Sequence, residues 1–139
     1  MNYYIQEGSL TLPGTGHLAD ETVNILRFPQ HQSSLVITRT RLAEGQTPQA
    51  YLALQLQQLK KEMRHFLADE PKETMLGSVP ALEVSSSFEK QGVKIYQSLL
   101  CTQQAPALLV LTFSRLLPPD KATVAWWEQV RAGFTWHNA

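Results

Sequence analysis

The side chains able to do chemistry are few and scattered. Histidines stand at positions 17, 31, 65 and 137. No two of them have the i,i+4 spacing that puts a pair of imidazoles on one helix face, and no His-Glu-x-x-His run occurs. The one cysteine, Cys101, lies in the apolar run Ser98-Leu99-Leu100-Cys101-Thr102 and reads as a small buried hydrophobe. Being alone, it excludes an intrachain disulfide and a thiolate metal cluster. Gly14-Thr15-Gly16 lacks the third glycine and the preceding long strand of a dinucleotide-binding turn, and there is no Gly-x-x-x-x-Gly-Lys loop. Ser85-Ser86-Ser87 sits inside an alternating segment, not on a nucleophile elbow. Carboxylates fall in turns and on helix surfaces rather than as a converging pair. The expectation is a protein with no catalytic residue, no metal and no cofactor.

What stands out instead is polar placement within apolar patterns. Ser34 and Thr38 share one face of a strand with Val36. Gln55 lies four residues before Leu59 and eight before Met63, at the edge of a helix's apolar stripe. Gln97 interrupts an otherwise apolar strand. Small hydroxyls, two glutamines and aliphatic side chains together make a mixed lining suited to an apolar or amphipathic helix. Membrane interiors use the same composition between helices.

These residues are positioned by elements that the sequence announces. Ser9 to Leu12 reads as a short strand ended by the turn cluster Pro13 to Gly16. Thr22 to Phe28 and Ser33 to Arg39 read as two strands of a hairpin around Pro29. Thr47-Pro48 opens a helix, with Thr as the cap and Pro at the first helical position. Leu52, Leu56, Leu59, Met63 and Phe66 then recur at helical spacing as one apolar stripe. From Ala81 to Phe113 the period returns to two, in three strands separated by Glu89 to Gly92 and by Thr102 to Pro106, an antiparallel meander. Pro118-Pro119-Asp120 opens a last helix with Val124, Trp127 and Val130 on one side. The expected fold is α+β: a curved antiparallel sheet of about six strands with one long central helix and a C-terminal helix, forming a single domain over residues 1–139.

Along these residues the chain resembles the Eag chaperones of type VI secretion, within the broader DcrB-like group of Mog1/PsbP-like folds. The resemblance is carried by Val23-Asn24-Ile25 with Phe28-Pro29, by Ser34 to Arg39, by Tyr51 to Leu56 and by Tyr96-Gln97, in that order. It implies a cytosolic homodimer that shields the N-terminal transmembrane segments of a secreted effector. In the family it resembles, such effectors commonly carry a PAAR tip domain that loads onto the VgrG spike. It also implies a client groove with Val23, Ile25 and Val36 as aliphatics, Ser34 and Thr38 as hydroxyls, Gln55 and Gln97 as amides, and Leu59 and Met63 at the helix side.

Composition limits the other classes. Twelve basic against twelve acidic residues give a net charge of zero, which argues against a nucleic-acid surface or electrostatic docking on anionic lipid. Charged residues make up only 17% of the chain, a thin coat that leaves surface for a partner to cover. No apolar run approaches the ~20 residues of a membrane span and no export signal is visible, so a cytoplasmic location is expected. The competing readings are a non-catalytic interaction module and a small-ligand-binding domain of the same fold.

Overall fold

Strand alternation and two capped helices build a layered structure, here a computed structural model that describes residues 2–11, 22–104 and 107–136. In chain order the strands are β1 (Asn2–Ile5), β2 (Gly8–Thr11), β3 (Asn24–Phe28) and β4 (Ser33–Arg41). Helix α1 (Pro48–Glu62) follows, then β5 (Arg64–Ala68), β6 (Lys72–Leu76), β7 (Val79–Lys90), β8 (Val93–Gln104), β9 (Ala107–Arg115) and helix α2 (Lys121–Ala132). β1 and β2 form their own hairpin. The other seven strands make one antiparallel sheet in the order β3-β4-β9-β8-β7-β5, with β6 pairing on β7 beside β5. The α+β class and the meander β7-β8-β9 are as the sequence predicts.

Each helix starts where its cap chemistry dictates. The Thr47 hydroxyl accepts from the Ala50 N–H at 3.1 Å, with Pro48 inside the first turn. The Asp120 carboxylate accepts from the Thr123 N–H at 2.7 Å. Both bonds satisfy donors that a helix start otherwise leaves free.

The helices cover opposite faces of the sheet, and each closes its own core. Under α1, Leu52 meets Val84, Leu99, Cys101, Leu108 and Val110, with Leu56 and Leu59 half-buried against them. Under α2, Trp127 meets Leu35, Leu100, Leu111 and Phe113, and its ring stacks on Phe113 at 4.8 Å between centroids. Alternation along β7, β8 and β9 feeds the two cores in turn, because successive side chains point to opposite faces, whereas β4 gives only Leu35 and Ile37 to the core under α2.

Four expectations need correction. Helix α1 stops at Glu62, and Met63 is its extended C-cap, with φ −107° and ψ 146°. Phe66, counted on the helical stripe, lies in β5. A spacing of three from Met63 keeps Phe66 on a helical stripe, yet pairing with β7 wins: Arg64 lies opposite Glu89, and a bulge follows before Leu67. Strands β5 and β6 are additions to the expected set, as is β1. Val124 is 46% exposed rather than on the buried side of α2, and Trp126, packed edge-on to Phe28, takes a half-buried place beside Trp127. The turn cluster at 13–16 and residue Leu12 lie outside the described residues, as do His17 and His137.

Candidate functional site

The sheet face under α1 is only partly covered, and its register shows what is left open. Ile25 of β3 stands opposite Val36 of β4, which stands opposite Thr112 of β9, followed by Leu99 of β8 and Val84 of β7. The neighbouring row runs Arg27, Ser34, Ser114, Gln97 and Ser86 across the same five strands. Strands lie about 4.8 Å apart, so this uninterrupted polar row spans roughly 19 Å. Leu99 and Val84 end beneath α1, whereas Ile25, Val36, Thr112, Ser34 and Ser114 remain half-buried or exposed.

Two groups in the polar row are unpaired. The Gln97 side-chain carbonyl and the Ser86 hydroxyl are both shut off from water without a hydrogen-bond partner. A buried polar atom left this way costs about 1–3 kcal/mol. The fold therefore gains nothing from the Gln97 side-chain carbonyl or the Ser86 hydroxyl.

The residues predicted for a groove converge here except for Val23 and Met63. Ser34, Val36, Thr38, Ile25 and Gln97 share the α1 face of the sheet, as the registers above require. Val23 precedes β3 and is 50% exposed, and Ile25 is 57% exposed. Gln55 is half-buried on the α1 side that carries Leu52 and Leu59, three residues before and four after it. Met63 sits past the helix end in extended backbone, as Val23 sits before the paired part of β3. Arg27, Ser86, Thr112 and Ser114 were not singled out from the sequence. Each is an ordinary strand polar residue by itself, and only strand pairing aligns them. Thr112 and Ser114 alternate with Leu111 and Phe113, which was the one available signal.

The opposite face holds a second concavity, a cleft of about 880 Å³ between α2, the β5–β6 side of the sheet and the floor of β7 and β8. Its buried polar groups are tied to α2. Glu83 accepts from the Ser98 hydroxyl at 2.8 Å and from the Trp127 indole N–H at 2.7 Å. Arg131 stands 3.8 Å from Glu83 and donates to Thr74. Arg115 donates to the Thr123 hydroxyl and, at 3.4 Å, to the Pro118 carbonyl. Among the described residues, no cluster of three or more metal-binding side chains forms. Burial pushes the Cys101 thiol up to about 11, so it is a neutral packing group at ordinary pH.

No described helix is long and apolar enough to cross a membrane. The chain belongs to the DcrB family, whose model matches residues 7–132. No curated protein matches its sequence. Among solved structures it is similar to PA94 of Pseudomonas aeruginosa, a protein of unknown function, at 20% identity and TM-score 0.69, covering 100% of this chain and 98% of that one. It is similar to the type VI secretion immunity protein TplEi of Pseudomonas aeruginosa at 14% identity and TM-score 0.54, over 76% of this chain and 40% of that one. The cyanobacterial PsbP of Synechocystis sp. PCC 6803 shares 6% identity at TM-score 0.51, over 86% and 95% of the two chains. These likenesses show the fold.

Proposed function

We propose that this DcrB-family chain is a non-catalytic chaperone that lays an apolar client helix along the open part of its α1 face. The client class is the N-terminal transmembrane segment of a PAAR-containing type VI secretion effector, shielded in the cytoplasm by a homodimer before loading on the VgrG spike. The observation that carries this reading is the alignment of Ile25, Val36 and Thr112 beside the row Ser34, Ser114 and Gln97, on a face that α1 leaves partly uncovered. The secretion context comes from the family resemblance of the sequence.

The energetics suit such a client. Covering ~500 Å² of a helix that water would otherwise wet is worth on the order of 12 kcal/mol gross, before association costs. An all-apolar floor would suffice for area alone. Hydroxyls and amides add neutral donors and acceptors for backbone carbonyls or polar residues on the client, without the desolvation burden of a charge.

The test is co-expression with effector N-terminal segments, followed by affinity recovery and light scattering. Wild type should recover a transmembrane segment and elute as a dimer. Thr38→Arg should keep the melting temperature within a few degrees, because Thr38 is only half-buried. It should abolish recovery by placing an unpaired charge against the helix. Undiminished recovery by a folded Thr38→Arg protein would remove the groove from this face.

A further inference from the structure

The α2-face cleft has a charge balance that the fold leaves unresolved. The Arg115 side chain is only 9% exposed, and its acidic neighbour Asp120, at 4.0 Å, is 68% exposed. The Arg131 and Glu83 side chains are 13% and 16% exposed. The buried groups are thus two guanidiniums against one carboxylate. Glu83 is already engaged by Ser98, Trp127 and Arg131. Asp69, Glu73, Glu128 and Lys72 line the same cleft but are exposed, where water screens them. The Nε atoms of both arginines are buried without a hydrogen-bond partner, and so is the hydroxyl of Ser33, which stands opposite Arg115 in the register. A guanidinium removed from water without a buried counter-charge is an expensive arrangement.

We propose that this cleft binds a small monocarboxylate with an apolar body, anchored by Arg115. One excess buried positive charge matches a monoanion, whereas a phosphate monoester carries more negative charge than the cleft lacks. The planar guanidinium is shaped to grip a carboxylate. Ser85 and Ser87, on the β7 floor two strands from Arg115, supply neutral donors farther along the cleft. Phe113, Trp127 and Val124 supply apolar wall, and the ~880 Å³ volume exceeds what a bare ion would fill. The charged groups of the cleft, Glu83, Arg115 and Arg131, lie on the face opposite Ile25, Val36 and Ser34, and only Gln97 and Ser86 adjoin both sites, so a test at Arg115 or Ser85 is separable from one at Thr38.

The experiment titrates 4-phenylbutyrate and its neutral isostere 4-phenylbutyramide into the full chain by calorimetry, with the Trp127 indole N–H followed by NMR. The acid is expected to bind saturably and about tenfold tighter than the amide, the ratio a charge-assisted hydrogen bond gives. It should shift Trp127 together with the amides of Ser85 and Ser87. Arg115→Gln should make acid and amide bind equally. Ser85→Trp plugs the cleft from an exposed strand position without touching Arg115 and should abolish binding of both. Equal binding of acid and amide to wild type, no saturation at millimolar acid, shifts confined to the α1 face, or full binding by Ser85→Trp would each overturn the proposal. If Arg115→Gln fails to fold, the acid–amide contrast in wild type and the Ser85→Trp protein still decide the matter.

Discussion

Replacing Gln97 by Met should make the protein more stable and, under the proposed function, weaken client capture at once. The side-chain carbonyl of Gln97 is buried and unpaired, and Ser86, directly opposite on β7, is unpaired as well. An unsatisfied buried acceptor costs about 1–3 kcal/mol, and the lower end applies to Gln97, which is half-buried as a residue. Met has nearly the same volume and no strong acceptor, so the swap relieves that cost without opening a cavity. The expected gain is about 1 kcal/mol, or roughly 3 °C in melting temperature for a chain of this size. Client recovery should fall about five- to thirtyfold, the equivalent of losing roughly 1–2 kcal/mol of buried hydrogen bonding in the complex. The assay pairs a thermal melt with a quantitative pull-down of the effector segment. A lower melting temperature would show that the amide supports the fold. A raised one with unchanged recovery would show that the client never meets it.

Other outcomes follow from the cores and caps. Cys101, held at about 11 by burial, should resist alkylating reagents in the native protein at neutral pH and react on unfolding, as mass spectrometry would read. Hydrogen bonds from the Thr123 side chain and backbone hold the Asp120 carboxyl below its ordinary value of 3.8. A depressed folded value means that its contribution is present above that ordinary value and is lost as pH falls through the folded one. Asp120→Asn should therefore flatten the acid limb of a stability–pH curve below about pH 4, a difference visible in denaturant melts. Gly77→Ala should destabilise by more than about 1 kcal/mol: φ is +59°, and a β-carbon there would run into the Phe134 carbonyl. Its effect should exceed that of Gly45→Ala, where φ is also positive but the space is open.

Local patterns carried the sequence a long way here. Thr47-Pro48 and Pro119-Asp120 mark helix starts through their own side-chain and ring chemistry, which needs no distant partner. The period of two from Ala81 to Phe113 gives three strands because each buries alternate residues in one of two cores. The same alternation placed Ser34, Val36 and Thr38 on one face. The end of α1 was not legible, because Met63 and Phe66 continue its helical spacing without a break. The choice was made by hydrogen bonds to β7, whose partner Glu89 is 25 residues from Arg64 in sequence. Nor could the sequence align Arg27, Ser34, Ser114, Gln97 and Ser86. A row across five strands depends on the register of four separate pairings, and each register is fixed by turns and core packing far from the row itself. The buried pair of arginines facing one glutamate is tertiary for the same reason. Glu83, Arg115 and Arg131 come from β7, β9 and α2, and only the docking of α2 on the sheet brings their charges into one cleft.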